Sequence, residues 1–180
     1  GQHFSASSWC RFGAALVPAR FLSSTRLQCE SPAHGAGVAP VAISSNGVDF
    51  SPSELRYEYL MPAVLQSIFP ASGPTDGGTF VTVRGDSLSE RAASLMYLHC
   101  RFNLTIVPAA FVSTKAITCY TVEMSSGIAS VASTNNLRDY TEGLVFRYHI
   151  VRMTHAAPLS GPIRGGTRVQ ITGGPFNAGD

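Results

Sequence analysis

The four cysteines are the residues of this chain with the widest chemistry, because a thiol can bind metal, act as a nucleophile or form a disulfide. They form two pairs of equal spacing, Cys10/Cys29 and Cys100/Cys119. There is no C-x-x-C motif, and the five histidines stand at no ligand-like spacing from the thiols, so zinc binding is not supported. Four cysteines allow three pairings. The repetition favours the pairing within each pair, with buried free thiols as the alternative.

Other residues could suggest catalysis or ligand binding, and we weigh them here. His99 stands beside Cys100 as a base beside a nucleophile would, but Trp9 holds the matching place beside Cys10 and no third, orienting group is indicated. The glycine-rich segment 73–79 lacks the lysine of a phosphate-binding loop and leads into a strand. The acidic residues are scattered, which leaves only calcium at a junction open. We therefore predict no catalytic residue, no metal site and no cofactor.

One triplet is a modification signal. Asn103-Leu104-Thr105 is a sequon and predicts an N-glycan on a surface loop. Such triplets also arise by chance, so the sequon is informative only in combination with the cysteine pairs. Disulfides indicate an oxidising compartment, and the two features together favour a secreted or cell-surface protein.

The chain contains one pattern twice, at a spacing of about ninety residues. A repeat of this length indicates an array of equivalent units, and it favours a scaffold over a catalyst because nothing resembling an active site lies outside it. The glycine-rich segment 73–79 also recurs, as 161–167. The other matching segments are Cys10-Arg11-Phe12 and Cys100-Arg101-Phe102, Val17-Pro18-Ala19 and Val107-Pro108-Ala109, Cys29 and Cys119, and Asn46 with Asp49 and Asn136 with Asp139.

The order of these elements divides the chain into one complete unit and two partial ones. Residues 61–149 form the complete unit, residues 1–60 the last two thirds of an earlier unit, and residues 150–180 the opening third of a later one. We therefore expect a window cut from a longer array. The alternative is strand donation, in which residues 150–180 of one subunit complete residues 1–60 of the next.

Composition excludes several classes of partner. Charged residues make up 13% of the chain, against about a quarter in average soluble proteins, and the formal net charge is +2. There is no basic stripe, so binding to nucleic acid is not supported. No run of eighteen apolar residues is present, so we predict no membrane contact for this segment.

Short β-strands separated by turns dominate the local pattern, and they predict an all-β fold of tandem sandwiches. Comparison of the copies 79–85 and 167–173 assigns the faces of one strand. Positions that are apolar in both copies, Val81/Val169 and Val83/Ile171, are predicted to point inward. Phe80 is replaced by arginine in the other copy, so we predict that it faces outward as a possible contact residue. The core residues predicted in the same way are Phe12, Phe102, Val17, Val107, Phe21, Phe111, Leu27 and Ile117.

Helix signals are weak, and segment 89–98 is the best candidate for a helix.

The junctions between units are short. Each unit ends on an aromatic strand, 57–59 or 146–148, and the next begins within a few residues without a flexible Gly/Ser run. Pro62 restricts its own φ in the first junction. We therefore expect adjacent units to pack end to end with restricted bending.

These motifs together resemble the IPT/TIG domain family. The resemblance rests on Pro70-x-x-Gly73-Pro74-x-x-Gly77-Gly78-Thr79, then Val-x-Val-x-Gly, then Cys-x-Phe, a second Cys and a closing aromatic strand. It covers essentially the whole chain. It implies immunoglobulin-like sandwiches in which each cysteine pair bridges neighbouring parts of one sandwich. The segment 120–122 departs from Glu30-Ser31-Pro32, so its turn should differ.

The resemblance also bears on function. Intracellular members bind DNA through a second domain and basic loops, neither of which is present here, whereas extracellular members carry the cysteine pair and form stalks. We expect a non-enzymatic structural or adhesive segment: a stalk, a spacer or a building block of a filament such as a flagellar hair. Its expected partners are neighbouring units and other protein chains, in lateral or homopolymeric assembly. A receptor ectodomain stalk and an accessory module of an enzyme are the alternatives.

Overall fold

The computed structural model describes residues 7–174 and 176. The chain separates into two compact units, Gly1–Met61 and Pro62–Asp180. Nearly all regular structure is β-strand, which confirms the predicted all-β fold. The strands of the first unit are β1 (Trp9–Phe12), β2 (Ala15–Pro18), β3 (Arg20–Ser23), β4 (Arg26–Gln28), β5 (Gly37–Ser44) and β6 (Arg56–Tyr59).

The second unit carries eleven further strands and the short helix α1 (Glu90–Ser94). Before the helix come β7 (Val64–Phe69), β8 (Ser72–Pro74) and β9 (Phe80–Asp86). After it come β10 (His99–Phe102), β11 (Thr105–Pro108), β12 (Ala110–Ser113), β13 (Ala116–Tyr120), β14 (Gly127–Thr134), β15 (Thr141–His149), β16 (Arg152–Ala157) and β17 (Gln170–Gly174).

Residues 62–149 form a two-sheet sandwich. One sheet has the order β11-β10-β14-β15-β8 and the other the order β12-β13-β9-β7. All neighbours are antiparallel except β15 and β8, which run parallel. The two inner faces enclose one buried core, which consists of Val81, Val83, Leu88, Ala92, Leu98, Cys100, Phe102, Ile117, Cys119, Ala129, Val131, Phe146 and Tyr148.

Alternation along β9 sets the faces of the second sheet, because successive side chains of a strand point to opposite sides. Val81 and Val83 are fully buried, and Val83 lies opposite Ile117 on the neighbouring strand β13. Phe80 faces outward and is exposed. Both predicted orientations in this strand are therefore observed.

The first unit has a four-stranded sheet, β2-β1-β5-β6, and a separate two-stranded sheet, β3-β4. Its buried cluster is smaller and consists of Cys10, Phe12 and Ala19. The prediction that Phe21 lies in the core is wrong, since 43% of its surface is exposed. The physical reason is that, within the described residues, β3 and β4 pair only with each other, so one side of this sheet has no further strand.

Strands β16 and β17 form a hairpin that repeats the register of β7 and β9. Ala156 lies opposite Ile171 as Ile68 lies opposite Val83. Gly85 is required where β9 pairs with β7, because a Cβ there would collide with a backbone carbonyl of β7. Gly173 is required where β17 pairs with β16 for the same reason. Unlike their counterparts in β9, Val169 and Ile171 are about half exposed, because no second sheet covers this hairpin within the described residues.

The best helix candidate of the sequence does form the helix α1. Ser89 is its N-cap, and the Ser89 hydroxyl accepts a hydrogen bond from the backbone N–H of Ala92. Ala92 is the buried residue of the helix. The helix is a single short connection between β9 and β10 and positions Leu88 and Leu98 in the core.

Candidate functional site

The cysteine pair of the second unit joins the two sheets of its sandwich. Cys100 lies on β10 and Cys119 on β13, with their Cα atoms 6.5 Å apart. Both residues are buried. A bridge of this sequence separation contributes roughly 3 kcal/mol in the chain-entropy description. The link ties together strands whose side chains fill the core.

The first unit repeats this link between Cys10 on β1 and Cys29, which directly follows β4. Their Cα atoms are 6.4 Å apart. With all four thiols in disulfides, Cys100 has no thiolate to pair with His99. Within residues 7–174, three or more His, Cys, Asp or Glu side chains nowhere come together as a metal site.

An arginine beside each bridging cysteine stacks on an aromatic ring. The guanidinium of Arg11 lies 4.2 Å from the ring centroid of Phe50, and that of Arg101 lies 4.2 Å from the ring centroid of Tyr140. Arg101 also forms a salt bridge with Glu142. Sequence reasoning found the repeated arginine but missed its role. The signal was present, because Phe50 and Tyr140 are separated by the same interval as the two arginines.

A repeated asparagine builds the turn after β5 and after β14. Oδ1 of Asn46 accepts the backbone N–H groups of Val48 and Asp49, and its Nδ2 donates to the Asp49 carboxylate at 2.9 Å. Asn136 makes the same set of bonds, with its Nδ2 donating to Asp139 at 2.8 Å. Side-chain bonds of this kind fix a turn without help from other strands, so these residues are structural.

Phe80 belongs to a larger exposed aromatic patch, defined here as Phe69, Phe80 and Tyr120. The rings of Phe80 and Tyr120 have centroids 5.2 Å apart, and the two residues lie opposite each other on β9 and β13. Phe69 lies on β7, across from the residue two positions beyond Phe80. The three side chains are 52 to 61% exposed. Sequence reasoning identified only Phe80, because the others become neighbours through strand pairing.

The repeat shows that this patch is not needed for the fold. The residue that matches Tyr120 in the first unit is Glu30, and the residues that match Phe80 and Phe69 in the last hairpin are Arg168 and Ala157. The core positions of these strands remain apolar while the outward ones change. An exposed apolar surface that structure does not demand is a candidate for contact with another protein.

Asn103 lies in the turn between β10 and β11. Its Oδ1 accepts the backbone N–H of Ser130 at 2.8 Å, and its Nδ2 lies 3.3 Å from Sδ of Met124. The residue is exposed and has a φ of 51°. The sequon therefore occupies a hairpin turn at the surface of the five-stranded sheet.

Two closing tyrosines have perturbed acidity. Tyr59 and Tyr148 lie opposite Gly37 and Gly127 at equivalent places in the two units. Burial raises the pKa of both phenols above 10.0, and the neighbouring Tyr57 adds to the effect on the pKa of Tyr59. Both groups therefore stay neutral at physiological pH. They pack as apolar rings and supply no acid or base near pH 7.

A cleft of about 460 Å³ lies in the first unit. Among the described residues that line it, none offers a thiol, a hydroxyl or an imidazole for nucleophilic catalysis. Its lining residues lie on or next to β2 and β4, and they are Val17, Pro18, Ala19, Arg20, Gln28 and Glu30. Within the described part of the chain, no helix has the length and apolar character required to cross a membrane.

Comparison with known proteins identifies a family and an architecture. The profile of the IPT/TIG domain matches residues 1–59 and 63–148. Plexin-A3 of Rattus norvegicus is 31% identical over 137 residues, which are 71% of this chain and 7% of that protein. Fibrocystin-L of Mus musculus is 24% identical over 162 residues, which are 87% of this chain and 4% of that protein.

A solved structure shows the same fold. The full extracellular region of Plexin A4 superposes with a TM-score of 0.52 at 17% identity, over 99% of this chain and 25% of that one. The chain thus spans only a small fraction of each relative. The likeness agrees with the predicted immunoglobulin-like architecture.

Proposed function

The chain belongs to the IPT/TIG domain family, and on that premise we propose that it is part of the extracellular stalk of a cell-surface receptor. The observation that carries the proposal is the repetition of the disulfide-linked sandwich elements, Cys10–Cys29 and Cys100–Cys119, in tandem. The family and the plexin relatives point to a non-catalytic immunoglobulin-like domain at the cell surface. In such a position the units space and orient ligand-binding domains located elsewhere.

Among the roles expected from sequence, the receptor stalk has better support than the filament. The relatives carry the names of plexins and of fibrocystin-L, and the structural match is an extracellular region. A stalk needs units that resist unfolding and junctions that restrict bending. The disulfides serve the first need, and Pro62, whose ring restricts its own φ, is proposed to serve the second.

The division of the array also belongs to this proposal. We propose one complete unit at residues 61–149, with residues 1–60 and 150–180 as parts of the adjoining units. The apolar surfaces left open on β3–β4 and on β16–β17 support this division, because their counterparts in the complete unit are covered by strands.

The aromatic patch is the proposed site of contact with other proteins. Phe80 and Tyr120 lie on the outward face of a sheet that is rigid because its inner face fills the core. The substitutions Phe80→Arg and Tyr120→Glu install residues that the repeat itself tolerates at the matching positions. We expect the double variant to fold normally and to lose binding to protein partners of the receptor.

The experiment that tests the stalk uses intact cells that express the full-length gene product. An antibody against residues 62–149 should label unpermeabilised cells, and detergent should release the antigen as a discrete membrane protein. Labelling only after permeabilisation would refute an extracellular location. An antigen that stays in a detergent-insoluble fibre would instead favour the filament.

A further inference from the structure

We propose that Asn103 is an N-glycosylation acceptor and that its glycan projects from the five-stranded sheet, leaving the aromatic patch on the other sheet free for protein contacts. The inference rests on the extracellular location proposed above. The acceptor lies in a hairpin turn of one sheet of the second unit, whereas the aromatic patch lies on the other sheet. The sequon Asn103-Leu104-Thr105 is the only one in the chain.

The three residues of the sequon lie at the surface. Leu104, the middle residue of the sequon, is 91% exposed, and both Asn103 and Thr105 are exposed as well. The strong side-chain bond of Asn103 goes through its oxygen, which accepts the Ser130 N–H at 2.8 Å. Within the described residues, its nitrogen contacts the sulfur of Met124, which is a weak acceptor. A sugar attached to Nδ2 would therefore leave the structural bond of Oδ1 in place.

The turn itself does not need an asparagine. In the first unit the matching residue is Gly13, which has a φ of 59° against 51° for Asn103. The backbone N–H of Gly13 donates to the Pro40 carbonyl at 2.8 Å, as that of Asn103 donates to the Ser130 carbonyl at 2.9 Å. The residue that matches Thr105 is Ala15. The turn therefore forms with Gly and Ala at these two positions, so its backbone conformation does not require Asn103 and Thr105.

The modification is a group transfer from a polyisoprenyl diphosphate-linked oligosaccharide, the donor class of the secretory pathway. A bond forms between Nδ2 of Asn103 and the anomeric carbon of the first N-acetylglucosamine. The bond from that carbon to the diphosphate oxygen breaks, and the lipid diphosphate leaves with its electron pair. Nδ2 loses one proton to a base of the transferring enzyme. The product is a neutral amide that still offers Oδ1 as an acceptor.

The test directs residues 1–180 into the secretory pathway of cultured animal cells with a cleavable leader. Both cell-associated and secreted chains are treated with peptide:N-glycosidase F, which releases the glycan and converts the acceptor Asn to Asp. The matched variants are Asn103→Asp, which has the same protein sequence as the enzyme-treated wild type, and Thr105→Ala, which copies the first unit. Asn103→Gly, which copies Gly13, is a third control for the turn.

We expect one band that shifts to higher mobility on treatment, with Asp found at position 103 by peptide mass spectrometry. All three variants should run at the mobility of the treated wild type and show no shift. A wild-type chain whose mobility the enzyme does not change, in cells and in medium alike, would overturn the proposal. So would a shift that persists in Asn103→Asp. Because the leader supplies the route, failure here speaks against the acceptor site, whereas the labelling of intact cells tests the location separately.

Discussion

The two units contain the same local structural features, but they bury their side chains to different extents. Each has an inter-strand cysteine bridge, an arginine stacked on an aromatic ring and an asparagine-built turn. Yet Ile117 is fully buried in the second unit, whereas its counterpart Leu27 is only partly buried. Hairpins, turns and bridges therefore form from nearby residues, whereas full burial of the core also requires the strands β7 and β9.

Truncation of the matched core residues should produce the largest difference in stability between the two units. Ile117→Ala should lower the free energy of unfolding of the second unit by about 3 kcal/mol, because it removes a fully buried side chain from a closed core. Leu27→Ala should cost the first unit only about 1 kcal/mol, since its site is partly open to water. Hydrogen exchange of the backbone amides of residues 116–120, measured at increasing urea concentration, reports the unfolding of the second unit.

The first unit has its own probe, because Trp9 is the only tryptophan of the chain. Its fluorescence should follow the unfolding of residues 7–61 and should remain unchanged by Ile117→Ala. Equal losses of stability from the two truncations would contradict the difference in burial.

The arginine stacks offer a smaller contrast. Arg101→Met keeps an apolar stem over Tyr140 but removes the cation–π contact and the salt bridge with Glu142, and it should cost about 1 kcal/mol. Arg11→Met should cost about 0.5 kcal/mol, because Pro52 stands where the second unit has Glu142. The two variants are compared by urea unfolding at low and high salt.

Salt distinguishes the two contributions, because exposed ion pairs are screened more than stacked rings. The excess cost of Arg101→Met should shrink in high salt, whereas the cost of Arg11→Met should hardly change. An identical salt response of both variants would show that Glu142 contributes nothing.

Alkaline pH should produce the smallest difference. Burial raises the pKa of Tyr148 in the folded state above 10.0, so the unfolded chain loses this proton first. The stabilising contribution is complete below pH 10 and is lost as pH rises through the higher, folded-state pKa. Tyr148→Phe should therefore flatten the fall in stability of the second unit above about pH 10.

Tyr59→Phe provides the matched control in the first unit. It should reduce the alkaline loss of stability of the first unit by a smaller amount, because Tyr59 is more exposed than Tyr148. Both curves are obtained by unfolding in urea across the alkaline range. A Tyr148→Phe variant with the same alkaline slope as the parent would show that this phenol ionises freely in the folded unit.

Much of the fold follows from the repeat alone. The fold class, the inward direction of Val81 and Val83 and the outward direction of Phe80 were all predictable, because two copies reveal which positions must stay apolar. Phe21 was not predictable in this way. Its burial depends on strands beyond its own hairpin, and the pattern of a single copy cannot report whether those strands are present.

The candidate contact surface was only partly predictable. Phe80 stood out because its copy is Arg168, but Phe69 and Tyr120 join it through the pairing of β7, β9 and β13. Such neighbours depend on sheet order, which one sequence does not specify. The contact of Arg101 with Tyr140 was not predicted for the same reason, although Tyr140 follows Phe50 at the interval that separates the two arginines.

Each unit is held together by its own disulfide, and a peptide map of the oxidised chain tests this pairing. The chain is digested without reductant after free thiols have been blocked, and the linked peptides are identified by mass spectrometry. We expect one peptide pair containing Cys10 and Cys29 and another containing Cys100 and Cys119, with no blocked thiol. A bridge between the two units, or any unlinked cysteine, would contradict it.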